Sequence, residues 1–175
     1  LYLLKIGYSL ASVFLFFICL HLGHGLGVIP ATKIASKKGF KHAILFSMPL
    51  LITALLMLMS IERYSWPLWL IGGVYGFSSA LFWMGYHIDF AKFSSKKKRG
   101  TEVGTARVMV MIFSALGPIT GGAVVAIFGF KIMFILVASL LLLAVAPLFF
   151  SKAIPAETDC SVKLAFEGQA GRDFF

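Results

Sequence analysis

Ionisable side chains inside long apolar runs are the residues of this chain best suited to chemistry, because each is costly to bury in hydrocarbon and tends to face protein or water. His21 and His24 lie three residues apart in the first such run, so on a helix they share a face. An imidazole pair there can line a cavity, take up a proton or hydrogen-bond across a bundle; we expect at least one of the two to face the protein interior, on a solute path. The pair is weak as a metal site, with no carboxylate at matching depth nearby, so neither a metal nor a cofactor is expected. His87 and Asp89 end the third apolar run and Arg107 opens the fourth, and Asp89 is expected to pair with Lys92 or Arg107 at the membrane surface. Tyr75, Ser78, Ser79 and Trp83 add hydroxyl and aromatic groups to the third run and are further candidates for a solute path, although such residues also serve plain packing. No phosphate-binding glycine loop, nucleophile elbow or zinc spacing occurs.

The elements that position these groups follow from composition. Of 175 residues 59% are hydrophobic and 13% charged, and the mean hydropathy is +0.93, whereas soluble domains run at about 45–50% apolar and 25% charged. The chain reads as an integral, multi-pass protein of a plasma or inner membrane, and disorder is excluded because it requires low hydrophobicity. The net charge of +9 would suggest nucleic acid in a soluble protein. Here the charge sits between apolar runs and marks topology, so the expected partners are membrane lipid and a small-molecule solute, with no nucleic acid. Lys96, Lys97, Lys98 and Arg99 could draw anionic headgroups at roughly 1 kcal/mol per basic residue. Cys19 and Cys160 lie at different depths and form no disulfide framework.

Uncharged stretches such as residues 43–61, ~28 Å long as a helix, predict five membrane helices, at about residues 4–29, 42–61, 67–91, 105–129 and 131–150. Pro30 ends the first of these, and Pro67 suits the first turn of the third. Residues 1–150 are therefore read as a helical bundle, and residues 151–175 as a cytoplasmic tail or the start of a linker. Lys33, Lys37, Lys38 and Lys41 follow the first span, and Lys92, Lys96, Lys97, Lys98, Arg99 and Arg107 follow the third, against only Lys5, Arg63 and Lys131 on the other side. The positive-inside rule places both basic loops in the cytoplasm. The chain then starts outside, which is simplest if one more helix precedes Leu1, so we expect the sequence to be a fragment.

Three spans carry Gly at i and i+4: Gly23 with Gly27, Gly72 with Gly76, and Gly117 with Gly121. Such pairs let helix backbones approach in lipid. Gly117, Pro118, Gly121 and Gly122 make the densest cluster, in which Pro118 removes a backbone donor and the glycines allow close contact. It is read as a helix-packing motif, either a static kink or a moving interface.

That Gly-Pro-x-x-Gly-Gly sequence resembles the fifth-helix motif of the major facilitator superfamily, transporters built from two six-helix halves. Lys37, Gly39 and Lys41 resemble the basic, glycine and basic positions of that family's cytoplasmic loop between helices two and three, and Gly129-Phe130-Lys131 is similar to the turn between helices five and six. Ser36 stands where the loop usually has an acidic residue, and Gly72 near where the fourth helix often has Arg. The resemblance implies an all-α polytopic membrane protein whose five spans are helices two to six of a six-helix bundle. It further implies a secondary transporter that moves a small solute by alternating access, not an enzyme, with the first helix and a second six-helix half supplied by the rest of the same protein. Two other readings stand beside it: a membrane-embedded enzyme using His21, His24, His87 and Asp89, and a non-transporting scaffold subunit.

Overall fold

The computed structural model describes residues 2–93 and 99–150, without the side chains of residues 88, 89, 91–93 and 99. The tail from residue 151 and the run Lys96 to Lys98 lie outside the described residues. The helices are α1 (Tyr2–Lys5), α2 (Leu10–Lys38), α3 (Phe40–Met59), α4 (Ile61–Tyr64), α5 (Leu68–Phe93) and α6 (Arg99–Phe150). Among the described residues no strand forms.

The first span starts later than its apolar pattern predicts. Gly7 has φ +93°, its N–H bonds to the Leu4 carbonyl and the Tyr8 N–H to the Leu3 carbonyl, a complete Schellman turn that closes α1. Ser9 then caps α2, its side chain accepting from the Ser12 N–H at 3.2 Å. The span also ends later, because the helix continues through Pro30 to Lys38. One missing backbone donor does not stop a helix whose next turns are made of good helix formers; the stop is Gly39, at φ 88° and ψ 154°, a region essentially closed to residues with a Cβ.

Four helices are long and apolar enough to cross a membrane, and the last of them contains two spans. As one straight rod the 52 residues of α6 would reach ~78 Å, far beyond a hydrocarbon core of about 30 Å. Gly129, with φ 80° and ψ 171°, breaks it. Residues 130, 131 and 134 lie beside Met59 and Glu62, at the far end of α3, whereas Val145 packs on Ile44 and Met48 and the Phe149 carbonyl meets Lys41. The arm 130–150 thus runs antiparallel to α3, and the chain reverses at Gly129 as the fourth and fifth expected spans require.

Glycines set the approach of α2 to α5. A Cβ on Gly76 would strike the Leu20 carbonyl oxygen and lie 2.7 Å from the His24 nitrogen, and one on Gly23 would lie 2.8 Å from the Gly73 oxygen. Phe16 meets Gly72 and Gly27 meets Phe77, so both sequences advance together and the helices are parallel. α3 runs back beside α5, with Phe40 and Ile44 against Gly85. One core cluster, with Phe16, Ala54, Ile61 and Ile71, fills the Gly129 end; Ala31, Ala80 and Leu81 form another.

Among the described residues the Gly117 cluster makes no close helix contact. A Cβ at Gly117 or Gly122 would meet nothing within 4 Å, and one at Gly121 would meet only the Met133 methyl, at 3.1 Å. The reason is positional: the first arm of α6 has its apolar side chains largely uncovered, and the close backbone contact is made by α2 and α5 instead.

Gly76→Ala is therefore expected to destabilise the fold by about 1–3 kcal/mol, the usual cost of overpacking. Gly73→Ala, whose Cβ meets nothing within 4 Å, should stay within about 0.5 kcal/mol of the parent. Thermal unfolding of both purified variants in one detergent checks the pair; equal effects would mean that backbone contact does not limit this seam.

Candidate functional site

The two ends of the bundle each hold a cleft. At the Lys41 end, Trp83, Tyr86, His87 and Phe90 present a stripe spaced i, i+3, i+4 and i+7 along α5, so one face of the helix carries four rings. Trp83 stacks on His87 with centroids 5.7 Å apart and planes 27° apart, and meets the Tyr86 edge at 5.7 Å. Val103, Ala106, Arg107 and Val110, on the first arm of α6, line the opposite wall of a cleft of about 360 Å³. Small side chains on that wall leave the space open. Arg107 is exposed and hydrogen-bonds to none of the described residues.

At the Gly129 end a cleft of about 420 Å³ is lined by Tyr2, Lys5, Glu62, Lys131 and Phe134, among others. Lys5 lies 5.3 Å from the Phe130 centroid, and the Tyr2 ring contacts Phe130 and Phe134 at 5.0 and 5.1 Å. Burial pushes the Tyr2 hydroxyl above its ordinary value, and the charges of Glu62 and Tyr8 add to the shift.

The residues singled out in the sequence are distributed unevenly over this frame. His24 is half-buried at the flank of the α2–α5 seam, its backbone nitrogen against Gly76, while His21 is exposed. Neither lines a described cleft. Trp83 does, and helical spacing puts Tyr75 and Ser79 on the same strip of α5, further toward the Gly129 end. Ser78 points elsewhere; it is 1% exposed, and its hydroxyl has no hydrogen-bond partner among the described residues. The expected pairing of Asp89 with Lys92 or Arg107 lies outside the described residues, because the side chains of Asp89 and Lys92 are not among them. Tyr86, Phe90 and the Val103–Val110 stripe were not singled out, although their spacing was visible.

Convergence is what a histidine enzyme would need, and the bundle does not provide it. His24 is level with Gly76, and His87 is ~16 Å further along α5. Among the described residues no group of three His, Cys, Asp or Glu could hold a metal ion.

The loop residues form a structural contact. Lys37 is exposed, Gly39 makes the turn, and the Lys41 ammonium donates to the Phe149 carbonyl at 3.3 Å. That carbonyl lies in the last described turn of α6. Lys41→Met should cost about 0.5–1.5 kcal/mol and lower the melting temperature, with Lys37→Met as the unchanged control; equal melting temperatures for all three proteins would remove the contact from the account.

No curated protein and no solved structure matches the chain. The sequence profile of the Major Facilitator Superfamily, however, matches residues 2–169, which takes in every helix described above, the aromatic and arginine walls of the cleft, and the Gly-Phe-Lys turns at both ends. With its described residues helical, its apolar spans and its paired reversals at glycine, the chain belongs to the Major Facilitator Superfamily.

Proposed function

We propose that this chain is part of one half of a secondary transporter that moves a small solute by alternating access, that half rocking against a second six-helix half of the same protein around a path near the midplane. The observation that carries the reading is the family match over residues 2–169. Two features of the bundle support it. The glycine seam makes α2, α3 and α5 a block that can turn as one body, and the first arm of α6 leaves an apolar face uncovered, as a helix facing a second half would. On this reading His24, Tyr75, Ser79 and Trp83 border the path.

Orientation is part of the proposal. Lys33, Lys37 and Lys38 belong to the Lys41 end, which the positive-inside rule assigns to the cytoplasm. Lys131 belongs to the Gly129 end, which then faces out. A cysteine at position 131 should be labelled from outside intact cells by a membrane-impermeant maleimide, and one at position 37 only after permeabilisation. The reverse pattern would invert the protein.

Transport itself is tested with the full-length protein. Solutes that raise its melting temperature are offered to proteoliposomes, and uptake above that of protein-free vesicles is expected for at least one of them, reduced tenfold or more by Trp83→Ala. Stabilising solutes that never cross would favour a scaffold role, and solutes recovered chemically altered would favour an enzyme.

A further inference from the structure

The cleft at the Lys41 end has a composition that selects among solutes. Its α5 wall offers ring faces: Trp83 is 41% exposed, and Tyr86 stands edge-on to it. Planar rings stack on such a wall with a gain beyond area burial. Opposite, Val103, Ala106 and Val110 supply apolar contact without any polar demand. The one permanent charge among the described lining residues is the Arg107 guanidinium, a planar fork of donors matched to a carboxylate.

Aromatic faces alone would also attract cations, and charge decides between the two. Among the described residues no Asp or Glu lines the cleft, while Arg107 and the His87 imidazole both do. A cation placed against Trp83 would be repelled by Arg107, whereas an anion would satisfy a guanidinium that hydrogen-bonds to none of the described residues. A volume of about 360 Å³ lies near the lower end of small-molecule pockets, roughly 300–1,000 Å³, which suits a solute of one or two rings.

We propose that this cleft binds a planar aromatic carboxylate, its ring stacked on Trp83 and set edge-on to Tyr86, and its carboxylate held by Arg107. The proposal deepens the transport reading by naming a solute class and rests on it only for the bound anion being carried onward. Binding and carriage are therefore measured separately. His87, stacked beside Trp83, adds a second nitrogen donor on the same side.

The probe is 2-naphthoate, with 2-naphthamide as its neutral counterpart and 2-naphthylmethylamine as its cation. Full-length protein is reconstituted in phosphatidylcholine vesicles, and binding is read from tryptophan quenching. Naphthoate should saturate and bind at least tenfold tighter than either counterpart. Arg107→Gln should weaken naphthoate tenfold or more while leaving naphthamide unchanged, and Trp83→Ala should weaken both. Equal affinity for naphthoate and naphthamide would overturn the proposal, and this comparison needs no variant, so it stands even if Arg107→Gln fails to fold. An Arg107→Gln protein that melts lower yet binds naphthoate as before would make Arg107 a structural ion-pair residue and overturn it equally. A third arm repeats the titration in phosphatidylglycerol vesicles: retained naphthoate binding supports a solute site, and its abolition would assign the cleft to an anionic lipid headgroup. Saturable binding without uptake would leave the site in place and refute only the transport reading.

Discussion

Backbone contact between α2 and α5 is the constraint from which the rest of the bundle follows. Within lipid no hydrophobic force drives helices together, so association depends on how closely their atoms can approach. At Gly23 and Gly76 the approach leaves no room for a Cβ, which fixes both the register and the parallel course of the two helices. Parallel neighbours require a returning element between them in sequence, and α3 provides it. Once α3 is laid against α5, the arm 130–150 finds its place along α3, and Lys41 comes within reach of the Phe149 carbonyl.

The reversals at Gly39 and Gly129 use one device twice. Each is a Gly-Phe-Lys sequence, and the glycines adopt nearly the same backbone, φ 88° with ψ 154° and φ 80° with ψ 171°. This conformation is nearly exclusive to glycine. It turns the chain sharply enough that the following Phe enters the next helix at once and the Lys emerges in its first turn. At one end that lysine meets the Phe149 carbonyl; at the other, Lys131 borders the cleft that holds Tyr2 and Glu62.

Much of this was legible in the sequence, for identifiable reasons. Charge-free runs located the spans, and Gly129-Phe130-Lys131 marked the break inside α6, because apolar length and glycine turns are local properties. The ends of α2 were misplaced because Pro30 is a weaker stop than Gly39 and because Gly7 acts through a hydrogen-bond pattern that residue types do not display. The role of the glycines was legible only as a class: Gly23, Gly27, Gly72, Gly76, Gly117 and Gly121 share one spacing, and which of them meet a neighbour depends on how helices are arranged in space. The same holds for the cleft. Trp83 and Arg107 were each notable alone, but their facing one another across a gap is a tertiary fact, and the small residues that open the gap carry no signal of their own.

The two arms of α6 differ in how firmly they are held, and the difference gives the cleft unequal walls. The arm 130–150 is docked along α3 by Val145 and by the Lys41 bond. The arm that bears Arg107 has most of its side chains uncovered, and segments with few buried contacts open at low free energy while a packed core stays closed. The aromatic wall belongs to α5, which is clamped between α2 and α3. A ring stacked on Trp83 would therefore rest on the wall that the glycine seam holds in place, and the guanidinium would reach it from the less firmly held arm.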